Sequence, residues 1–171
     1  MELNTIERLS GSVTLETTGT SQQVCDQILG EIRTSNILKR IDNHTLGIYV
    51  ISPNAGMHES VAFWKQALEQ GPGFMSPQNF PWTLSNGPAT YLARQLDAHG
   101  PNVTIVGDWI NPILPCVRHD IQSGKCRNAL VAFINFSNQH QGYFIVFTVS
   151  PQTSLQYECI GSDTDDHGFL R

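Results

Sequence analysis

Apolar and polar positions recur along the chain at two periods. Val13 and Leu15, each with polar neighbours, predict a strand over residues 12–17. Val24, Ile28 and Ile32 follow at four-residue steps and predict a helix over 21–33. Residues 46–52, LGIYVIS, form a continuous apolar run of the length buried in a sheet, and 53–56 read as a turn. A second helix is predicted over 58–70, with Val61, Trp64 and Leu68 on one stripe and Gly71–Pro72 as its stop. Residues 71–81 are rich in Gly and Pro and read as a loop. Another helix runs from about Asn86 to Ala98, with Pro88 near its first turn, where a missing N–H is harmless. After Gly100–Pro101 come a strand over 102–106, a helical segment ending near Ser123–Gly124, and a strand over 129–135. Residues 143–149 and 154–160, joined by Pro151, Gln152 and Thr153, predict a hairpin or two consecutive strands. The residues from Ser162 are polar and acidic and read as a loose tail. Strands and helices alternate, so the expected class is α/β with helices packed on a central mixed sheet, in one domain spanning 1–171.

Composition narrows the function. Of 171 residues, 40% are hydrophobic and only 15% charged, a globular balance with room for a large buried interface. The formal charge of −5 and the lack of a basic run argue against nucleic acid as a partner. The opening residues carry Glu2 and Glu7 and no signal-peptide core, and no apolar stretch reaches membrane-span length. A cytoplasmic protein is expected. Cys25, Cys116, Cys126 and Cys159 are widely spaced without a CxxC pair, which argues against zinc and against a disulfide framework. Asp163, Asp165 and Asp166 lack the glycine and glutamate of a calcium loop, so no metal is expected there.

The informative stretch is 80–108, FPWTLSNGPATYLARQLDAHGPNVTIVGD. It resembles the N-terminal half of the β-ketoacyl synthases: a polar helix start, small residues within the helix, then Leu-x-x-x-Gly-Pro-Asn-x-Thr leading into the strand before the nucleophile. Residues 46–81 resemble the strand, helix and loop that precede it, and 121–135, IQSGKCRNALVAFIN, the helix end and strand that follow. The likeness covers residues 38–135. It implies half of a thiolase-like fold.

Two departures from that family bear on activity. Its nucleophilic cysteine stands nine residues after the glycine of the Gly-Pro pair; counting from Gly100 gives Trp109. An indole cannot form the acyl thioester that condensation requires. The family's C-terminal half, which supplies two catalytic histidines, has no counterpart among these 171 residues. With a helix start near Ile110, Pro112 falls in the first turn, while Pro115 removes an intrahelical bond and kinks the helix. Cys116 and His119 stand at i, i+3 and can meet on one helix face, which makes Cys116 an alternative nucleophile. A half-buried cysteine beside a surface histidine is the plainer reading. The remaining histidines, His44, His58, His99, His140 and His167, fall in loops or at helix ends.

Ketosynthase-like chains without the nucleophile are the chain length factors, and a shortened one resembles the subunits of aryl-polyene-type clusters. The resemblance implies a non-catalytic subunit that pairs with an active β-ketoacyl synthase and shapes its acyl tunnel in polyketide or polyene synthesis. No cofactor of its own is implied, since phosphopantetheine arrives on the acyl carrier protein of the complex. By position, the segment ahead of the nucleophile strand assigns Asn79, Phe80, Trp82, Thr83 and Asn86 to the partner contact or tunnel; Phe80 and Trp82 also fit plain core packing. The alternative of another class is a stand-alone acyl-binding or scaffold homodimer.

Overall fold

The computed structural model describes residues 4–15, 20–35, 39, 41–107, 112–135 and 140–150. Five strands and four α-helices alternate along it: β1 (Asn4–Leu15), α1 (Ser21–Thr34), β2 (Leu46–Ser52), α2 (Met57–Gln70), α3 (Gly87–Gln95), β3 (Asn102–Val106), α4 (Ile113–Gln122), β4 (Asn128–Asn135) and β5 (His140–Ser150). They build one mixed sheet in the order β1-β5-β4-β2-β3. The β3, β2 and β4 strands are parallel; β5 runs antiparallel to β4, and β1 antiparallel to β5.

The central position of β2 explains its composition. It pairs on both sides and is buried at all seven residues, so no polar face is needed. Its side chains alternate between two cores. Leu46, Ile48 and Val50 meet Leu130, Ala132 and Ile134 of β4 under α1 and α3, which contribute Val24, Ile28, Leu29, Ile32, Ala89 and Leu92. Tyr49 and Ile51 join Ala129, Val131 and Phe133 under Ile113, Val117 and Ile121 of α4. Helices therefore cover both faces of the parallel strands.

Most elements stand where the hydrophobic pattern puts them, with four differences. The first strand begins at Asn4 rather than near Ser12, because its length is set by pairing with β5 and not by local alternation. The α2 stripe faces outward: Val61, Trp64 and Leu68 are exposed, and Phe63 is the residue of α2 that is buried. The α4 helix starts at Ile113, not near Ile110. Pro115 therefore lies in its first turn, where its missing N–H has no intrahelical partner to lose, and no kink is required. The strand over 143–149 belongs to β5, flanked by β4 and β1; the strand expected over 154–160 and the tail from Ser162 lie outside the described residues.

Candidate functional site

The segment between α2 and α3 is shaped by close backbone contacts. A 3-10 turn, Phe80–Thr83, sits between the starts of the two helices. Gly56, with φ of 72°, and Gly87 are the points of contact: a Cβ on Gly56 would come 2.5 Å from Thr83 O, and one on Gly87 2.5 Å from Pro81 O. Any side chain at either position pushes the turn away. Ser60 Oγ donates to Thr83 O at 2.9 Å, and Thr83 Oγ1 donates to Phe80 O at 2.7 Å. The Asn86 carbonyl accepts from Thr90 N at 2.9 Å and opens α3.

Within this segment the five residues singled out from sequence separate by environment. Trp82 is half-buried, packs on the α1/α3 core and lies 5.0 Å from the Tyr91 ring. Tyr91 in turn donates to Asp26 Oδ1 at 2.5 Å, and that bond is the main reason its hydroxyl is held above the usual tyrosine range. Phe80 is 52% exposed, with its ring 6.0 Å from Phe63. Asn79 and Asn86 are exposed, and Thr83 is half-buried. Asn79 and Trp82 share a cleft of about 300 Å³ with Ser21, Glu59 and Phe63.

A larger apolar surface adjoins them. Met57, Val61, Trp64 and Leu68 are 62, 64, 64 and 86% exposed. They repeat at steps of four, three and four, which places them on one side of α2. Phe74 and Leu84 are exposed as well. The rings of Trp64, Phe63 and Phe80 are in series, at centroid distances of 6.2 and 6.0 Å, and carry the apolar surface from α2 to the turn. Sequence reasoning found the stripe and gave it no role. An apolar helical face reads the same whether its own core or another chain covers it.

The third part is the sheet edge. Among the described residues β3 pairs with β2 alone, and Val106 at its end is 60% exposed. Gly107 N donates to Ser52 O at 3.1 Å and ends the pairing. Trp109, four residues further than Ile105, lies outside the described residues.

Two of the described thiols, Cys25 and Cys126, are buried. Burial pushes the Cys25 thiol far up, aided by the negative charges of Asp26 and Glu59, and burial raises Cys126 as well. Cys116 is half-buried; its Sγ donates to Pro112 O at 3.9 Å, while His119 is exposed. No group of three or more His, Cys, Asp or Glu among the described residues can hold a metal ion, and no described helix is long and apolar enough to cross a membrane.

A parallel strand trio covered by helices on both faces, entered through this Gly-Pro-stopped α3 and the edge strand β3, has clear counterparts among solved structures. The ishigamide ketosynthase/chain length factor superposes with a TM-score of 0.53 at 19% identity, over 61% of this chain and 36% of that one. The ketosynthase ApeO in complex with its chain length factor ApeC from Xenorhabdus doucetiae gives 0.54 at 10% identity, over 88% of this chain and 80% of the matched chain. The fold is that of the ketosynthases and chain length factors. A third ketosynthase structure, AntDE:AntF, a type II acyl carrier protein in complex with its ketosynthase bound to the hexaketide, gives 0.53 at 10% identity over 75% and 42%. This ketosynthase-like chain thus spans about a third of the length of its ishigamide counterpart. No protein-family model and no curated protein matches the sequence.

Proposed function

We propose that the chain is a non-catalytic, chain-length-factor-like subunit that pairs with an active β-ketoacyl synthase and shapes its acyl tunnel in polyketide or polyene synthesis. The observation that carries this reading is Trp109 in a chain of ketosynthase fold, at the position where the sequence resemblance expects the nucleophilic cysteine. The active subunit supplies the cysteine and histidines. Its acyl chains arrive on the phosphopantetheine arm of an acyl carrier protein.

The surface of the chain supports pairing. Met57, Val61, Trp64, Leu68, Phe74 and Phe80 form an exposed apolar group of a kind that stable monomers seldom leave open. An aromatic ring contributes about 150–250 Å² when buried, so three of them with three aliphatic side chains approach the roughly 800 Å² that each partner contributes to a stable interface. Among the described residues the outer edge of β3 is unpaired, and it adds backbone groups a strand of the partner can use. Coexpression of the chain with a tagged ketosynthase, followed by size-exclusion chromatography, tests this. A 1:1 complex is expected, with lengthened products in Phe80→Ala or Trp82→Ala where the complex survives; two proteins that elute apart contradict it.

A further inference from the structure

The α2 helix stands outside both cores, and the residue it buries is Phe63. Adjacent side chains fasten its first turns to the body. Ser60 Oγ donates to Thr83 O. Glu59 reaches α1, 38 residues earlier in the chain: its Oε1 accepts from Ser21 N at 3.2 Å and from Ser21 Oγ. Ser21 is buried and is the first residue of α1. Its amide is one of the donors that a helix start leaves without an intrahelical partner. The Thr20–Gln23 capping box satisfies Gln23 N and Thr20 N and leaves Ser21 N to Glu59. A carboxylate there forms charge-assisted bonds at the positive end of the α1 dipole. The other oxygen, Glu59 Oε2, is buried and has no hydrogen-bond partner among the described residues, so Ser21 is the anchor of this carboxylate.

We infer that Glu59 is a positioning residue: its carboxylate, seated on the start of α1, fixes the pose of α2 and with it the apolar stripe of Val61, Trp64 and Leu68. That the stripe is thereby presented to a ketosynthase rests on the pairing proposed above. The clamp itself does not.

Residue-resolved amide exchange on the full chain separates the two. Glu59→Gln keeps the reach and one acceptor oxygen, Glu59→Asp keeps the charge on a stem too short to reach, and Glu59→Ala removes both. The α2 amides are expected to exchange about ten-fold faster in Asp and Ala, with Gln between these and wild type, while β2 and β4 amides keep their rates. Equal acceleration in α2, β2 and β4, or none in α2, overturns the clamp. Titration of the ketosynthase reads the second step: Glu59→Ala is expected to weaken binding about ten-fold, a loss of about 1.4 kcal/mol. Unchanged affinity overturns the presentation of the stripe by Glu59. A wild-type chain that does not bind overturns the pairing and the presentation step together, and leaves the exchange pattern to decide the clamp.

Discussion

Asp120, on the buried face of α4, sits at 8% exposure between Tyr49 and Lys125. Burial pushes its carboxyl up, but the bonds from Lys125 Nζ at 3.0 Å and Tyr49 Oη at 3.1 Å, with the charge of Lys125, outweigh burial and hold it below the ordinary 3.8. A carboxyl depressed on folding contributes stability above its unfolded value and loses it as pH falls through the folded one. Asp120→Asn is therefore expected to cost about 1–3 kcal/mol near neutral pH, and the gap to wild type narrows below pH 3.8. Thermal melts across pH 2–7 (a range of about five units) check it; a constant gap contradicts the linkage. Trp109 belongs to the same scale, and its assignment to the nucleophile position rests on the spacing from Gly100. Trp109→Cys is expected to gain a thiol that iodoacetamide alkylates and to gain no condensing activity, because decarboxylation and oxyanion stabilisation need the histidines as well. Turnover of malonyl- and acyl-loaded carrier protein by this variant alone contradicts that.

Among the elements, β2 and β3 were legible to the residue. A seven-residue apolar run and a Gly-Pro stop are local signals: β2 spans the run, and β3 begins directly after the stop. The α4 boundary was not legible, since two prolines three residues apart fit either of two helix starts; the first turn of the helix that begins at Ile113 accepts Pro115. The α2 stripe was legible as a stripe and not by its direction. That direction yields opposite expectations for neighbouring residues. Leu68→Glu replaces a side chain 86% exposed, so it is expected to change stability by no more than about 0.5 kcal/mol and to abolish ketosynthase binding. Trp82→Ala empties a half-buried contact with Tyr91 and the α1/α3 core and is expected to cost about 3 kcal/mol of stability before any effect on product. Phe80, more exposed, separates the roles better: Phe80→Ala in an intact complex is expected to lengthen the product, each added methylene gaining about 0.8 kcal/mol against an apolar wall. An intact complex with the wild-type product removes Phe80 from the tunnel.

At the scale of the molecule, helices of the chain pack on both cores, while among the described residues α2, the turn at Phe80 and the β3 edge leave apolar side chains and backbone groups open. The alternation of elements was enough to expect a mixed α/β sheet. The strand order β1-β5-β4-β2-β3 was not legible, because pairing between segments more than a hundred residues apart leaves no local trace. Neither was the outward direction of the α2 stripe, since local pattern cannot tell an exposed apolar face from core. The role proposed for the chain is to complete a ketosynthase without chemistry of its own. Its most direct test is a matched assay with malonyl- and acyl-loaded carrier protein, run on the purified chain, the purified ketosynthase and the copurified pair. The expected result is no product from the chain, and from the pair a product whose length shifts with substitutions in the chain. Condensation by the chain alone, or a ketosynthase whose yield and product length are indifferent to its presence, contradicts the account.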